Sequence, residues 1–210
     1  MTEGERLAFG SLAISAVLQA AALAGIPFLL YVGYHKLRYK RSLREVSARC
    51  GLRGTTLRYL LYTIGLALVA VGALVLWPPP LELFVRPGSP QRAFLGLGFG
   101  AASVAMAAVY GFVTTGFVEE FLFRGLIAGS LSRRLPLVWA NLGQALIFLA
   151  PHLLVLKVRP ELWMLLPVVF VSALVLGWLR IKSGSIVGPW LVHASANAAT
   201  CLSIAVRSAS

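Results

Sequence analysis

The chain has 210 residues, of which 59% are hydrophobic and only 12% are charged, and its mean hydropathy is +0.83. Soluble domains carry roughly 25% charged residues, so this composition excludes a soluble domain and predicts an integral membrane protein. The net charge is +12. The Lys and Arg residues fall in short loops between apolar segments, as topology signals and lipid-headgroup contacts do. No basic, aromatic-interleaved domain lies outside those segments, so nucleic-acid binding is not expected.

The sequence predicts a single domain of membrane helices over residues 1–210, because spanning segments must satisfy their own backbone hydrogen bonds. A span needs roughly 20 apolar residues. The two cysteines are far apart and indicate neither a disulfide framework nor a metal site. The N-terminal "MTEGER" lacks a basic stretch, so the first segment is expected to be retained rather than cleaved. In chain order the predicted segments are 7–34, 57–77, 93–113, 114–131, 137–156, 161–179 and 184–206.

Charge in the loops predicts the orientation. The loop at 35–58 carries the largest basic excess and is expected to be cytoplasmic, with the N-terminus outside. Segments 93–113 and 114–131 together would be about 58 Å long as one helix, too long for a single crossing of about 30 Å. A turn at 111–116 is therefore predicted from Gly111, Thr114, Thr115 and Gly116. Seven segments put the C-terminus inside and leave four basic residues outside, against the usual trend: Arg133, Arg134, Arg180 and Lys182.

Four ionisable residues lie well inside the predicted segments: Glu119, Glu120, Arg124 and His193. Each costs about 2.5–3.5 kcal/mol to insert, so such residues mark ion pairs or functional sites. Glu120 and Arg124 have the i,i+4 spacing of a helical ion pair. Glu119 is rotated by about 100° from Glu120 and can face a different neighbour.

Two further segments carry polar residues at the same spacing. His193 and Asn197 are four residues apart, so both side chains can point into one cavity. Phe148 and His152 are also four apart, and Pro151 removes a backbone donor directly before His152. With a turn at 111–116, Glu119 and His152 would lie at similar depths near the cytoplasmic side. Interhelical hydrogen bonds of a scaffold remain the alternative explanation for these residues.

Three motifs in order carry a family resemblance: "EEFLFR" at 119–124, "FLAPH" at 148–152 and "HASAN" at 193–197. This pattern resembles the CAAX protease and bacteriocin-processing family (CPBP, or Abi) of intramembrane glutamate endopeptidases, which includes the type II CAAX prenyl proteases. The resemblance lies within about 114–200, and residues 1–110 match only in being apolar helices with a basic loop. It implies an all-α polytopic membrane protein of about seven helices with an intramembrane cavity, and catalytic helices over 111–206.

The resemblance also implies residue roles and partners. Glu119 would be the general base, and His152 would help to activate a water molecule. His193 and Asn197 would stabilise the oxyanion, Glu120 and Arg124 would orient the site, and Phe148 would shape the substrate cavity. No cofactor is implied, and the implied substrate is a peptide or a lipidated protein. The implied location is the cell membrane, with the active site toward the cytoplasmic side.

Other functions remain open at this point. Glu119, His152 and His193 could instead bind a metal ion in a metal-dependent membrane peptidase. A non-catalytic binding or immunity protein could also keep the family fold. The absence of Asp excludes an aspartyl protease, and the absence of HExxH argues against a zincin. Ser195 is two residues from His193 and points to another face, so a Ser–His dyad is not expected.

Overall fold

A computed structural model describes residues 2–209 as seven helices, and there is no strand among these residues. The predicted all-α, polytopic membrane fold is confirmed. The helices are α1 (Glu3–Tyr39), α2 (Leu43–Arg49), α3 (Leu57–Leu76), α4 (Ala101–Leu131), α5 (Leu137–Val155), α6 (Pro160–Ser183) and α7 (Val187–Arg207). The first turn of α6 is a 3₁₀ helix, as are two short turns in the loop after α3.

Five of these helices are long and apolar enough to cross a membrane: α1, α3, α4, α5 and α6. Helix α7 has 21 residues but carries much of the polar chemistry of the chain. It packs mainly against α3 and α4, and also against α6. The other helices therefore shield its polar side chains from lipid.

The predicted turn at 111–116 is wrong, because α4 runs without a break from Ala101 to Leu131. Residues Val109–Phe117 and Glu120–Ala128 are π-helical. A π-helix has more residues per turn and advances less per residue, so α4 is shorter than the about 46 Å of an ideal α-helix. Gly111 serves close packing rather than a turn, since a Cβ there would lie 2.6 Å from the carbonyl oxygen of Ala194 in α7.

The unbroken α4 reverses the predicted direction of every later helix. Arg133 after α4 and Arg180 in α6 both donate to the carbonyl oxygen of Arg49, at 3.2 and 3.0 Å. Ser185 before α7 donates to the carbonyl of Arg53 at 2.6 Å. The loops after α1, α4 and α6 thus meet at one end of the bundle, which we call the basic end. The predicted separation of Arg133, Arg134, Arg180 and Lys182 from the loop at 35–58 is therefore wrong.

The two chain termini lie together at the opposite end. Leu12 of α1, Phe94 and Ile204 of α7 share one buried apolar cluster, and the Gly98 amide donates to the Ala205 carbonyl at 3.2 Å. The loop between α5 and α6 is also at this end, where Arg159 donates to the Leu83 carbonyl at 2.6 Å. The C-terminus is consequently on the same side as the N-terminus, which corrects the prediction that it lies with the basic loop.

Candidate functional site

The polar residues of the three motifs come from the middle of α4, α5 and α7. Counted from the basic end at 1.5 Å per residue, Phe148 lies about 16 Å along α5. Glu119 lies somewhat less than about 18 Å along α4, because residues Glu120–Ala128 are π-helical. His193 lies about 9 Å and His152 about 22 Å from that end. The site therefore lies inside the bundle rather than at the basic end. The expectation that Glu119 and His152 both lie close to the basic loop is wrong, because α5 runs away from that loop.

Glu120 is the centre of a buried ionic cluster. Its Oε1 lies 3.0 Å from Nη1 of Arg124 and 2.8 Å from Nδ1 of His193. Both Glu120 and Arg124 are 0% exposed. The ion pair predicted from the i,i+4 spacing is therefore present, and it sits where the second π-helical stretch of α4 begins. π-Helical turns occur frequently at functional sites.

The ionic cluster leaves several buried polar atoms without a hydrogen bond to the described residues. Glu120 Oε2 and all three guanidinium nitrogens of Arg124 are buried without a hydrogen-bond partner, so the Glu120–Arg124 contact is an ion pair without hydrogen-bond alignment. The guanidinium also stacks over the ring of Phe148, at 4.2 Å from its centroid. A buried unsatisfied polar group costs about 1–3 kcal/mol. Such groups in native structures reflect a catalytic role or a bound water or ion.

Glu119 is in a different position from its neighbour. It is partly exposed, and its carboxylate has no hydrogen-bond partner among residues 2–209. It is nonetheless close enough to interact electrostatically with His193 and Arg124. The two adjacent glutamates therefore differ: Glu120 is committed to Arg124 and His193, whereas Glu119 is uncommitted beside the same cluster.

Phe148 joins the two histidines. Its ring centroid lies 4.8 Å from that of His152 and 6.5 Å from that of His193, and the ring is buried. Nδ1 of His152 donates to the Phe148 carbonyl at 2.9 Å, because a carbonyl oxygen can only accept. In a neutral His152 ring, Nε2 then carries the lone pair. Phe148 fixes both the position and the tautomer of His152.

Asn197 is held by a residue that the motifs did not reveal. Its Nδ2 donates to Oγ1 of Thr115 at 2.7 Å. Thr115 precedes Glu119 by four residues, so Asn197 is held about one helical turn from that carboxylate. The i,i+4 spacing that indicated Glu120 and Arg124 could also have indicated Thr115, which was instead assigned to a turn.

Arg180 is a second residue whose role the sequence did not reveal. Its Nε donates to the Arg124 carbonyl at 3.0 Å, while Nη2 reaches the Arg49 carbonyl. The guanidinium therefore links the helix of the ionic cluster to the loop at the basic end. In the sequence Arg180 looked like an ordinary basic residue in a short turn.

The metal-dependent alternative lacks a ligand set. Within the part of the chain that the structure describes, no group of three His, Cys or Glu side chains is arranged to hold a metal ion. His193 Nδ1 already bonds to Glu120. Glu119, His152 and His193 thus do not form a coordination sphere among the described residues.

The fold and the site together define a multi-pass membrane protein with a polar cluster at the centre of its helices. A family model described as "Type II CAAX prenyl endopeptidase Rce1-like" matches residues 94–199. The chain belongs to this Rce1-like family, which implies a membrane protease. No curated protein and no solved structure matches the chain.

Proposed function

We propose that this protein is a glutamate-type intramembrane endopeptidase, in which Glu119 activates the attacking water. The observation that carries the proposal is the division between the two glutamates. Glu120 is buried against Arg124 and His193, whereas Glu119 is partly exposed and has no protein hydrogen bond. A general base needs a carboxylate that is free to accept a proton and close to its partners.

In the proposed reaction, the Glu119 carboxylate takes a proton from water as the oxygen attacks the carbonyl carbon of the scissile peptide. Nε2 of His152 accepts a hydrogen bond from the same water and orients it, since Nδ1 is bonded to the Phe148 carbonyl. The proton on Glu119 then passes to the leaving amine as the C–N bond breaks. Glu119 thereby returns to its ionised state, and no covalent intermediate is formed.

His193 and Asn197 are the proposed donors to the oxyanion. Nδ1 of His193 is bonded to Glu120, so Nε2 can donate only if the ring is protonated. Two carboxylates and one guanidinium carry a net charge of −1, which a protonated His193 would neutralise. The Asn197 amide is held by Thr115. Fixed donors of this kind are usually the largest electrostatic contribution to catalysis.

The proposed substrate is a prenylated protein or peptide of the CAAX type, by analogy with the type II CAAX prenyl endopeptidase family. The basic end is proposed to face the cytoplasm, because Lys and Arg are concentrated in cytoplasmic loops. The unbroken α4 supports this orientation, since it brings Arg133, Arg134 and Lys182 to the same end as the loop at 35–58. The cell membrane is the proposed location.

The experiment compares wild type, Glu119→Gln and Glu161→Gln in proteoliposomes. The probe is a quenched fluorescent peptide ending in a CAAX sequence, with and without a farnesyl group on its cysteine. Glu119→Gln is expected to lower kcat by at least about 10²-fold, the usual contribution of a general base. Glu161→Gln, a change of the same kind at the opposite end from the basic loops, is expected to leave kcat unchanged.

A different experimental result would contradict each part of the proposal. Full activity of Glu119→Gln would remove the base assignment, and equal cleavage of both peptides would remove the prenyl requirement. Loss of activity after dialysis against EDTA, restored by added zinc, would favour the metal-dependent mechanism. A wild-type protein that binds either probe without cleaving it would favour the non-catalytic alternative.

A further inference from the structure

A concave site lies at the basic end, away from the ionic cluster. It is a cavity of about 240 Å³ between the end of α1, the loop after it and the end of α4. Four arginines line it: Arg41, Arg49, Arg133 and Arg134. Three tyrosines, His35 and Ser130 complete the lining, and no acidic side chain contributes. Neither the family motifs nor the proposed reaction uses any of these residues.

The arginines of the cavity are not neutralised within the protein. The one acidic residue between positions 35 and 58 is Glu45. Its carboxylate accepts from the amide and the hydroxyl of Ser42 at 2.7 and 2.8 Å, and so caps α2. Glu45 also attracts Arg41 electrostatically, but it does not line the cavity. Four guanidinium groups thus share one cavity without a carboxylate among its walls.

Arg133 forms the fixed part of the cavity wall. Its guanidinium donates to the Tyr31 hydroxyl at 2.8 Å, to Ser130 Oγ at 3.1 Å and to the Arg49 carbonyl at 3.2 Å. Burial lowers the pKa of Arg133, and the charges of Arg49 and Arg41 lower it further. The cavity is therefore an environment in which an additional negative charge is favourable.

The other three arginines have guanidinium N–H groups that make no hydrogen bond with the described residues. Arg49 lines the cavity, and its side chain makes no hydrogen bond with residues 2–209. Arg134 makes no side-chain hydrogen bond with the described residues, although it lines the cavity. Arg41 donates one nitrogen to Nδ1 of His35 and stacks on Tyr39 at 4.6 Å, which leaves its other nitrogens free. Planar guanidinium donors arranged around one space match the oxygens of a phosphate.

The position of the cavity indicates where the phosphate comes from. The cavity lies where α1 and α4 leave the membrane, and the neighbouring side chains Leu30, Tyr34 and Leu37 of α1 are 70%, 57% and 78% exposed. Exposed leucines beside tyrosines are typical of the boundary between hydrocarbon and headgroups. Basic pockets between membrane helices at this depth bind anionic headgroups.

We propose that this cavity is a binding site for a phosphate group, supplied by the headgroup of an anionic phospholipid in the leaflet at the basic end. The phosphate oxygens accept hydrogen bonds from Arg41, Arg49 and Arg134. The acyl chains of the lipid extend along the exposed apolar face of α1. The bound lipid would hold the loop after α1 against the end of α4, next to the Arg49 carbonyl that Arg133 and Arg180 also contact.

The test uses the full chain purified in detergent and native mass spectrometry to count bound molecules. The probes are dioleoyl phosphatidylglycerol, dioleoyl phosphatidylcholine and inorganic phosphate, each titrated separately. The cavity variant is Arg41→Gln/Arg134→Gln. The matched control is Lys36→Gln/Arg44→Gln, which removes the same charge from the same end at two exposed residues outside the cavity lining. Arg134→Gln alone serves as a milder variant, because that side chain has no protein hydrogen bond to lose.

Wild type is expected to retain one phosphatidylglycerol per chain and no phosphatidylcholine under the same conditions. The cavity variant is expected to bind it about a hundredfold more weakly than the control variant, since it loses two arginines and each lost charge-assisted hydrogen bond is worth about one factor of ten. Arg134→Gln alone should show about half of that loss on a logarithmic scale. If inorganic phosphate binds as tightly as the lipid, the site holds but its ligand is soluble phosphate. Equal losses in the cavity and control variants, or none in either, would overturn the proposal.

Discussion

The prediction that separates the two glutamates most sharply concerns stability. Glu120→Gln removes the charge in direct contact with Arg124, which is 0% exposed. Arg124 then keeps the Phe148 ring and the more distant charge of Glu119. Breaking a buried ion pair by removing one partner costs about 3–5 kcal/mol. For a chain of this size, each kcal/mol lowers Tm by about 2–4 °C. Glu120→Gln is therefore expected to lower Tm by about 6–20 °C.

The matched control is Glu119→Gln, the same change one residue earlier. Glu119 has no protein hydrogen bond to lose, so its variant is expected to stay within about 0.5 kcal/mol of wild type. The five Trp residues provide an intrinsic fluorescence signal for thermal unfolding in detergent. A double variant, Glu120→Gln/Arg124→Met, should recover most of the stability because no buried charge is left unpaired. Equal Tm values for Glu119→Gln and Glu120→Gln would refute the assignment of Glu120 to a structural ion pair.

Three further predictions address other parts of the molecule. Thr115→Val is expected to lower kcat by about 10–100-fold with little change in KM, because Asn197 loses the hydroxyl that accepts its hydrogen bond. Thr115→Ser keeps that hydroxyl and should retain activity, and a rise in KM alone would contradict this role. Gly111→Ala is expected to cost about 1–3 kcal/mol by crowding α7, measured as Tm, whereas Gly72→Ala, with open space around it, should cost nothing. In a Cys201→Ala background, Cys50 should react slowly with maleimide at pH 7 and faster as the pH rises. Burial raises the pKa of its thiol to about 11, and the thiolate is the reactive form. Rapid labelling of the folded protein at pH 7 would contradict the burial of Cys50.

Properties that depend on neighbours along the chain could be predicted from the sequence. Composition alone indicated a membrane protein, because a chain with 12% charged residues cannot cover a soluble surface. The ion pair of Glu120 with Arg124 followed from i,i+4 spacing, since both residues are on one helix. The three motifs also pointed to the family, which the match over residues 94–199 confirms.

The contacts between helices could not be predicted from the sequence. Nothing in the spacing decides whether His193 meets Glu119 or Glu120, because that depends on how α7 is rotated against α4. The structure joins His193 to Glu120 and leaves Glu119 partly exposed. Thr115 and Arg180 were missed for the same reason, since their partners are 82 and 56 residues away in the chain.

The sequence by itself determined the class of protein and the family, because composition, hydropathy and motif spacing are properties of the chain. Only the tertiary structure decided the path of the chain through the membrane. Gly111 and Gly116 permit either a turn or a close helix contact, and the sequence does not distinguish the two. Packing against Ala194 selects the contact. That choice keeps α4 unbroken, brings the basic loops to one end and places the site near the middle of the bundle.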